Sequence, residues 1–314
     1  MPLIVFTTVH PWIQKVVNEV KPAEFDVEFV ELKDEARAAE ILPKADFLVC
    51  VVLPAHQAKL MTNCKLVMHN GVGYDGIATD VLAEMGIPVA VTPAMTPEGV
   101  GEHTFMLILS LLKQLPAVQQ SMRSGGWNMF GWREGSHNLA YKTLGIVGLG
   151  RIGKRVAHLA HAFDCNVIYN DIVDIPKEFE EKYDLTRLSL DGLLTTADII
   201  TLHVPLTDQT RKMITAAEFS KMKQGAIFIN ASRGETYDMN ALYDAIRSGH
   251  LFGAGIDVYD PEPPVVNHPI LQLPNVVCTP HIASGTVERQ YGINRAQFEN
   301  SQRVLAGKPP LNLI

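Results

Sequence analysis

Apolar residues in this chain come in short unbroken runs, not in strict alternation with polar ones. From the amino end these are LIVF (3–6), VEFV (27–30), DFLVCVV (46–52), KLVMH (65–69) and IPVAVT (87–92), separated by longer stretches of helical character. A strand that loses its in-out alternation is buried on both faces, which is the mark of a parallel sheet covered by helices. The first hundred residues therefore predict one α/β unit. At Thr143 the pattern restarts with TLGIVG and runs through NVIYND, DIITLHV, GAIFINA, GAGIDV and NVVCTP, which predicts a second sheet. Between the two lies Ser121 to Leu139, rich in glycine and aromatics and without periodicity, which reads as an excursion from the fold. Val287 to Leu305 predicts a helix stopped by Gly-Lys-Pro-Pro, and it is expected to return to the first unit. The most apolar run, FMLILSLL (105–112), is shorter than the roughly 20 residues needed to cross a bilayer and predicts a buried helix.

Composition narrows the function classes. A chain of 314 residues with 47% hydrophobic and 19% charged residues suits two ordinary globular domains. With 27 Lys and Arg against 34 Asp and Glu, the net charge of −7 argues against nucleic acid as a partner, since phosphate binding needs clustered cations. The four cysteines, Cys50, Cys64, Cys165 and Cys278, form no C-x-x-C pair, so neither a metal site nor a disulfide framework is expected. The amino terminus has no basic segment followed by a long apolar one. A cytoplasmic enzyme acting on a small molecule, with no membrane partner, is the expectation.

The strand TLGIV leads directly into Gly148-Leu149-Gly150-Arg151-Ile152-Gly153 and then into a helical segment. In a strand-turn-helix setting these glycines have distinct uses. Gly148 permits the tight turn, Gly150 lets backbone approach a pyrophosphate, and Gly153 allows close contact between helix and strand. The anion would meet unpaired N–H groups at the positive end of the helix. Asp171 closes the next strand, where a carboxylate can accept from a ribose 2′-hydroxyl and would repel a 2′-phosphate. No arginine adjoins it in sequence, so NAD is expected, with NADH preferred over NADPH. A structural glycine-rich turn beside a solvated aspartate is the alternative.

A nicotinamide enzyme needs an acid/base beside the hydride centre and a cation for a charged substrate. Three candidates end strands of the second unit: Arg233 after FINAS, Glu262 in DVYDPEPP, and His281 after VVCTP. Each alone is compatible with a solvated or structural role. Together they form a device: a planar guanidinium to hold a carboxylate, and a histidine whose tautomer and charge a carboxylate would fix. Reversible reduction of a 2-keto acid is the chemistry they imply.

GLGRIG with Asp171, then LHVPLTDQT, FINASRGE, GIDVYDPEP and TPHIASGT, preceded by NGVGYDGI and VTPAMTPEGVGEHT, resemble the D-isomer-specific 2-hydroxyacid dehydrogenase family. The resemblance covers nearly the whole chain. It implies an α/β fold of two Rossmann-like domains with parallel sheets. A flavodoxin-like substrate domain, residues 1–100 and 285–314, would close over a central NAD-binding Rossmann domain, residues 101–284, in a homodimer. It further implies that Arg233 binds substrate carboxylate and carbonyl, with backbone N–H groups of Val72 and Gly73. His281 would be the acid/base and Glu262 its partner. Around the cofactor it implies Arg151 and Ile152 at the pyrophosphate, and His203, Val204, Pro205 and Thr210 on the adenosine side. Ala231, Ser232, Arg233, Asp257, His281 and Ser284 would lie toward the nicotinamide, with Asp257 reaching its carboxamide. Thr104 is similar to a cofactor-contacting position of the linking helix, and His103 to an interdomain packing residue.

Departures from the family pattern are small. Tyr141-Lys142 stands where a glycine-lysine step is common, and Glu262 argues against the formate dehydrogenase branch. No C-terminal regulatory domain of the phosphoglycerate dehydrogenase kind is expected. The substrate pocket is the open question. Met95, Ser284 and Leu53 match wall positions, while Trp127, Phe130 and Trp132 could narrow a pocket or pack at a dimer surface. The variants look most like the glyoxylate/hydroxypyruvate reductase branch. A bulky aromatic 2-hydroxy acid is an alternative, as is a phosphorylated one served by Lys59 and Lys65. A different class, an NAD(H)-sensing corepressor-like protein, would keep the same trio.

Overall fold

The computed structural model describes residues 1–314. The chain divides into two compact units, Met1–Thr96 with Gly285–Ile314, and Pro97–Ser284.

The first unit holds β1 (Leu3–Phe6), β2 (Asp26–Phe29), β3 (Phe47–Cys50), β4 (Leu66–His69) and β5 (Val89–Val91), all parallel, in the order β2-β1-β3-β4-β5. That is the flavodoxin-like order. The unbroken apolar runs have the expected cause, because successive side chains enter opposite cores. Ile4, Phe6, Phe47, Val49, Leu66 and Met68 fill one face, and Val5, Leu48, Cys50 and Val67 fill the other. One strand differs from its expected form: β2 begins at Asp26 and its exposure alternates along Asp26–Phe29. It is an edge strand, so solvent reaches residues that a central strand would bury.

The helix Val287–Leu305 belongs to this unit and buries Phe298 among Phe6, Phe25 and Met68. In its first turn Arg289 is buried, donating from Nε to Thr96 Oγ1 (3.0 Å) and from Nη2 to the Asn70 carbonyl (3.0 Å). The guanidinium so supports the loop that carries Val72 and Gly73. Past the helix, the tail returns to the sheet. Leu313 bridges Ala90 in antiparallel sense, Val91 N–H donates to Asn312 and Ile314 N–H to Val89.

The second unit is a seven-stranded parallel sheet: β6 (Thr143–Val147), β7 (Asn166–Asn170), β8 (Leu185–Arg187), β9 (Ile199–Leu202), β10 (Ala226–Asn230), β11 (Leu251–Ile256) and β12 (Val276–Cys278). Its order is β12-β11-β10-β9-β6-β7-β8, a Rossmann arrangement with one added strand. Six of these strands correspond to apolar runs in the sequence. The seventh, β8, has no such run: it spans three residues of which only Leu185 is buried, too little to leave a hydrophobic pattern. Strand order reverses between β6 and β9, the switch point where open α/β sheets bind ligands at the carboxyl ends of their strands.

The irregular segment lies in this unit. After the helix Leu115–Arg123 the chain runs through turns in which Trp127 is 81% and Phe130 65% exposed. No helix is long and apolar enough to cross a membrane.

Candidate active site

Each chemically interesting residue of the second unit follows the carboxyl end of a strand. The phosphate turn follows β6, Asp171 follows β7, His203 follows β9, Arg233 follows β10, and Glu262 and His281 lie beyond β11 and β12. In the sheet β6 lies two strands from β10 and four from β12. At about 4.8 Å per strand, the turn and the trio are roughly 10–20 Å apart, the reach of an extended dinucleotide.

At the turn the glycines are sterically required. Gly148 has φ +92, and a Cβ there would stand 2.7 Å from the His203 carbonyl oxygen. A Cβ on Gly153 would fall on the Gly148 carbonyl. Gly150, by contrast, faces open space and heads the helix Arg151–Ala162 without any side-chain cap. Free N–H groups at an uncapped helix start beside an open glycine fit a pyrophosphate. Asp171 braces this turn: its Oδ2 accepts from Leu149 N–H (2.6 Å) and its Oδ1 from Val173 N–H (2.8 Å). In space, however, an arginine does adjoin it. Arg187, at the end of β8, donates to the Asp171 carbonyl (2.8 Å) and pairs with Asp174 (2.6 Å). The neighbouring strand supplies what the local sequence lacks.

The trio assembles from three loops. His281 Nδ1 lies 2.7 Å from Glu262 Oε2, and Glu262 Oε1 accepts from Tyr259 N–H at 3.0 Å. The hydrogen bond to Glu262 and its negative charge raise the His281 pKa against the effects of burial and of Arg233. Burial pushes the Glu262 carboxyl up, but hydrogen bonds from His281 and Tyr259 and the charges of His281 and Arg233 outweigh it and hold the carboxyl below its usual range. With Nδ1 committed to Glu262, Nε2 is left to exchange a proton with a ligand. Both side chains remain part-exposed.

Arg233 owes its place to two residues not singled out in the sequence. Asn230 is fully buried. It accepts from Ser232 N–H and Oγ and donates from Nδ2 to the Arg233 carbonyl and Thr236 Oγ1. Gly234 has no room for a side chain: a Cβ would fall on the Tyr259 carbonyl, so this glycine lets the Arg233 loop close on the Tyr259–Glu262 loop. The S-R-G string held that signal, since a glycine directly after a candidate cation suggests a close backbone approach.

Several expected ligand contacts have other partners. Thr104 is fully buried, with Oγ1 donating to the Val100 carbonyl within its helix. Asp257 is also fully buried. Its oxygens accept from Thr279 Oγ1 (2.6 Å) and from the N–H groups of Ile282 (2.9 Å) and Ala283 (2.8 Å). His103 hydrogen-bonds within the second unit, its Nε2 lying 2.9 Å from Thr279 Oγ1. His203 donates or accepts through Nε2 at Thr201 Oγ1 (2.8 Å), and burial pushes its pKa down to about 3, so it is neutral wall. Thr210 folds its own loop by donating to the Pro205 carbonyl (2.6 Å). Val204 packs on the sheet core, while Ala231 and Ile152 pack with Val100 and Ala283. Ser284 is half-buried and Arg151 exposed.

In the first unit Val72 and Gly73 are half-buried in the loop after β4, and Met95 is exposed after β5. Leu53 cannot line a pocket, being fully buried; its neighbours Val51 and Val52, and Tyr74, are exposed instead. Lys65 precedes β4 at the amino end of the sheet and pairs with Asp46 at 2.5 Å, opposite the ligand-binding edge. That removes one of the two cations proposed for a phosphorylated substrate.

Residues 105–283 match the family model for the D-isomer specific 2-hydroxyacid dehydrogenase NAD binding domain. The chain belongs to this family. It is an oxidoreductase with an NAD-binding Rossmann domain. Among its relatives is glyoxylate/hydroxypyruvate reductase B from Escherichia coli O9:H4 strain HS, 39% identical over 245 residues, 77% of this chain and 75% of the relative. Among solved structures, the TT0316 protein from Thermus thermophilus superposes over 100% of both chains with TM-score 0.88 and 32% identity. An acyclic imino acid reductase in complex with NADPH and D-Arg covers 99% of both chains at TM-score 0.84 and 26% identity. The family fold is thus found with NADPH bound as well.

Proposed function

We propose that this dehydrogenase reduces a 2-keto acid to the D-2-hydroxy acid with NADH, His281 delivering the proton. The observation that carries the reading is the 2.7 Å contact between His281 Nδ1 and Glu262, under the influence of Arg233. When bound, the nicotinamide supplies the hydride to C2. Arg233 holds the carboxylate and the carbonyl oxygen through its planar fork. Protonated His281 donates from Nε2 to the developing alkoxide, and Glu262 stabilises the charge that His281 carries beforehand. The glyoxylate/hydroxypyruvate branch is the primary assignment, on the strength of the 39% identical relative. The exposed Val51, Val52, Tyr74 and Met95 beyond strands of the first unit favour a second reading, in which apolar 2-keto acids are also accepted.

The deciding experiment follows NADH and NADPH consumption with glyoxylate, hydroxypyruvate, pyruvate, 4-methyl-2-oxopentanoate and phenylpyruvate. Turnover of at least one is expected, and inertness toward all of them would refute the assignment. NADH is expected to be preferred, through Asp171; a preference for NADPH would shift the 2′-contact to Arg187.

Glu262 sets the pH range. Reduction needs protonated His281, so its rate is high below the His281 pKa and is lost above it; because that pKa is raised, the active range extends upward. Glu262→Gln removes the negative charge and is expected to move the midpoint of the kcat/KM profile down toward 6.5, with oxidation starting at correspondingly lower pH. An unmoved midpoint would detach Glu262 from this role.

The exposed aromatic segment supports a homodimer. Trp127, Met129, Phe130 and Tyr141 are more than half exposed within one stretch, an apolar surface of the kind that self-association covers. Sedimentation equilibrium is expected to give twice the chain mass, and Trp127→Ser with Phe130→Ser is expected to shift the population to monomer.

A further inference from the structure

His281 sits at φ +52, in the left-handed region that residues other than glycine seldom occupy. A histidine is held there only if the surrounding structure dictates it, and here one buried aspartate does so. The Asp257 carbonyl accepts from His281 N–H (2.8 Å), while its side chain accepts from the next two amides, Ile282 and Ala283. Three consecutive N–H groups around the acid/base therefore close on one aspartate. The carboxylate is itself held from behind. Thr279 Oγ1 donates to Asp257 Oδ1 (2.6 Å), and His103 Nε2 lies 2.9 Å from the same hydroxyl. Since the hydroxyl gives its proton to the carboxylate, its lone pair takes one from His103, which fixes the Nε2–H tautomer. Burial lowers the His103 pKa while Asp257 opposes the shift. A neutral donor at this place holds the relay without adding a charge behind His281. The helix carrying His103 also supports the turn sterically, because a Cβ on Gly99 would stand 3.3 Å from the Ala283 carbonyl oxygen.

We propose that His103 and Thr279 are positioning residues for the acid/base, acting through the Asp257 carboxylate to hold His281 on Glu262. The proposal rests on the keto-acid reductase reading, but it concerns the ring's placement and can be measured without turnover. The charged groups facing His281 are Glu262, Arg233 and Asp257. Loss of the relay would relax the turn and weaken the His281–Glu262 bond, which contributes most to the raised pKa.

The test compares Thr279→Val with Thr279→Ser, and His103→Leu with His103→Gln, in the full chain. Histidine-ring NMR titration reads the His281 midpoint, and NADH-coupled kinetics read turnover. In Thr279→Val the midpoint is expected to fall toward 6.5 and kcat by about tenfold or more, with the KM for NADH within about twofold of wild type. Thr279→Ser, which keeps the hydroxyl, is expected to restore both, and His103→Gln to retain more than His103→Leu. A wild-type midpoint in folded Thr279→Val overturns the proposal. So does a weakened KM for NADH with the midpoint unmoved, which would make this group a cofactor contact. If the wild-type protein reduces no 2-keto acid, the functional reading fails while the ring titration still decides the positioning role.

Discussion

Replacing His281 by alanine is expected to lower kcat for keto-acid reduction by about 10²- to 10⁴-fold, the usual contribution of a positioned general acid. NADH affinity, followed by quenching of protein fluorescence, is expected to stay close to wild type, because the phosphate turn lies four strands away in the sheet. The asymmetry is the informative part. His281 contacts Glu262 through Nδ1, so its removal takes away the proton and leaves Glu262 part-exposed, able to be hydrated. The fold should therefore survive, and a thermal unfolding midpoint near that of wild type would establish that chemistry alone was lost. A variant keeping more than about a tenth of the wild-type kcat would remove His281 from the reaction.

Arg233→Lys is expected to behave differently, reducing kcat/KM by about 2–5 kcal/mol, roughly 30- to 5,000-fold, with KM rising as well as kcat falling. Lysine keeps the charge but offers a compact ammonium where the geometry calls for a planar fork, so a carboxylate and a neighbouring carbonyl oxygen can no longer be held together. Because Arg233 also depresses the His281 pKa by its charge, Arg233→Gln should raise the midpoint of the pH profile, while Arg233→Lys should largely keep it. Kinetics of the two variants thus separate bidentate binding from electrostatics. Unchanged kcat/KM in Arg233→Lys would show that the fork is not used.

The architecture was legible because its cause is local. Strands buried on both faces must be unbroken apolar runs, and ten of the twelve show one, the three-residue edge strands β5 and β12 among them. The apolar run of β2 begins one residue after the strand itself, because an edge strand admits polar residues, and β8 escapes notice because one buried leucine makes no pattern. Glycines gave the phosphate turn for the same reason: only glycine fits at Gly148 and Gly153. What sequence could not give is adjacency across strands. Arg187 comes beside Asp171 because β8 lies next to β7, sixteen positions on. Leu53 and Val52 look alike as letters, yet the turn after β3 buries one and exposes the other. Asp257 and Thr104 resemble ligand contacts, and their internal hydrogen bonds are also invisible in the sequence, because a polar side chain near a site can serve the ligand, the backbone that shapes it, or both.

The discontinuity of the first unit has a consequence for the order of biogenesis. During synthesis Met1–Thr96 emerges with all its strands, but the helix that covers Phe6 and Phe25 and the tail that edges β5 come only after Pro97–Ser284. The second unit is contiguous and can complete its sheet on its own; the first must hold an uncovered apolar face until Val287–Leu305 arrives. Domains made early in a chain usually fold first. Here the loops that carry Arg233, Glu262 and His281 can be in place before the first unit has finished folding, so a stalled or prematurely ended chain would leave the first unit without the helix that covers Phe6 and Phe25.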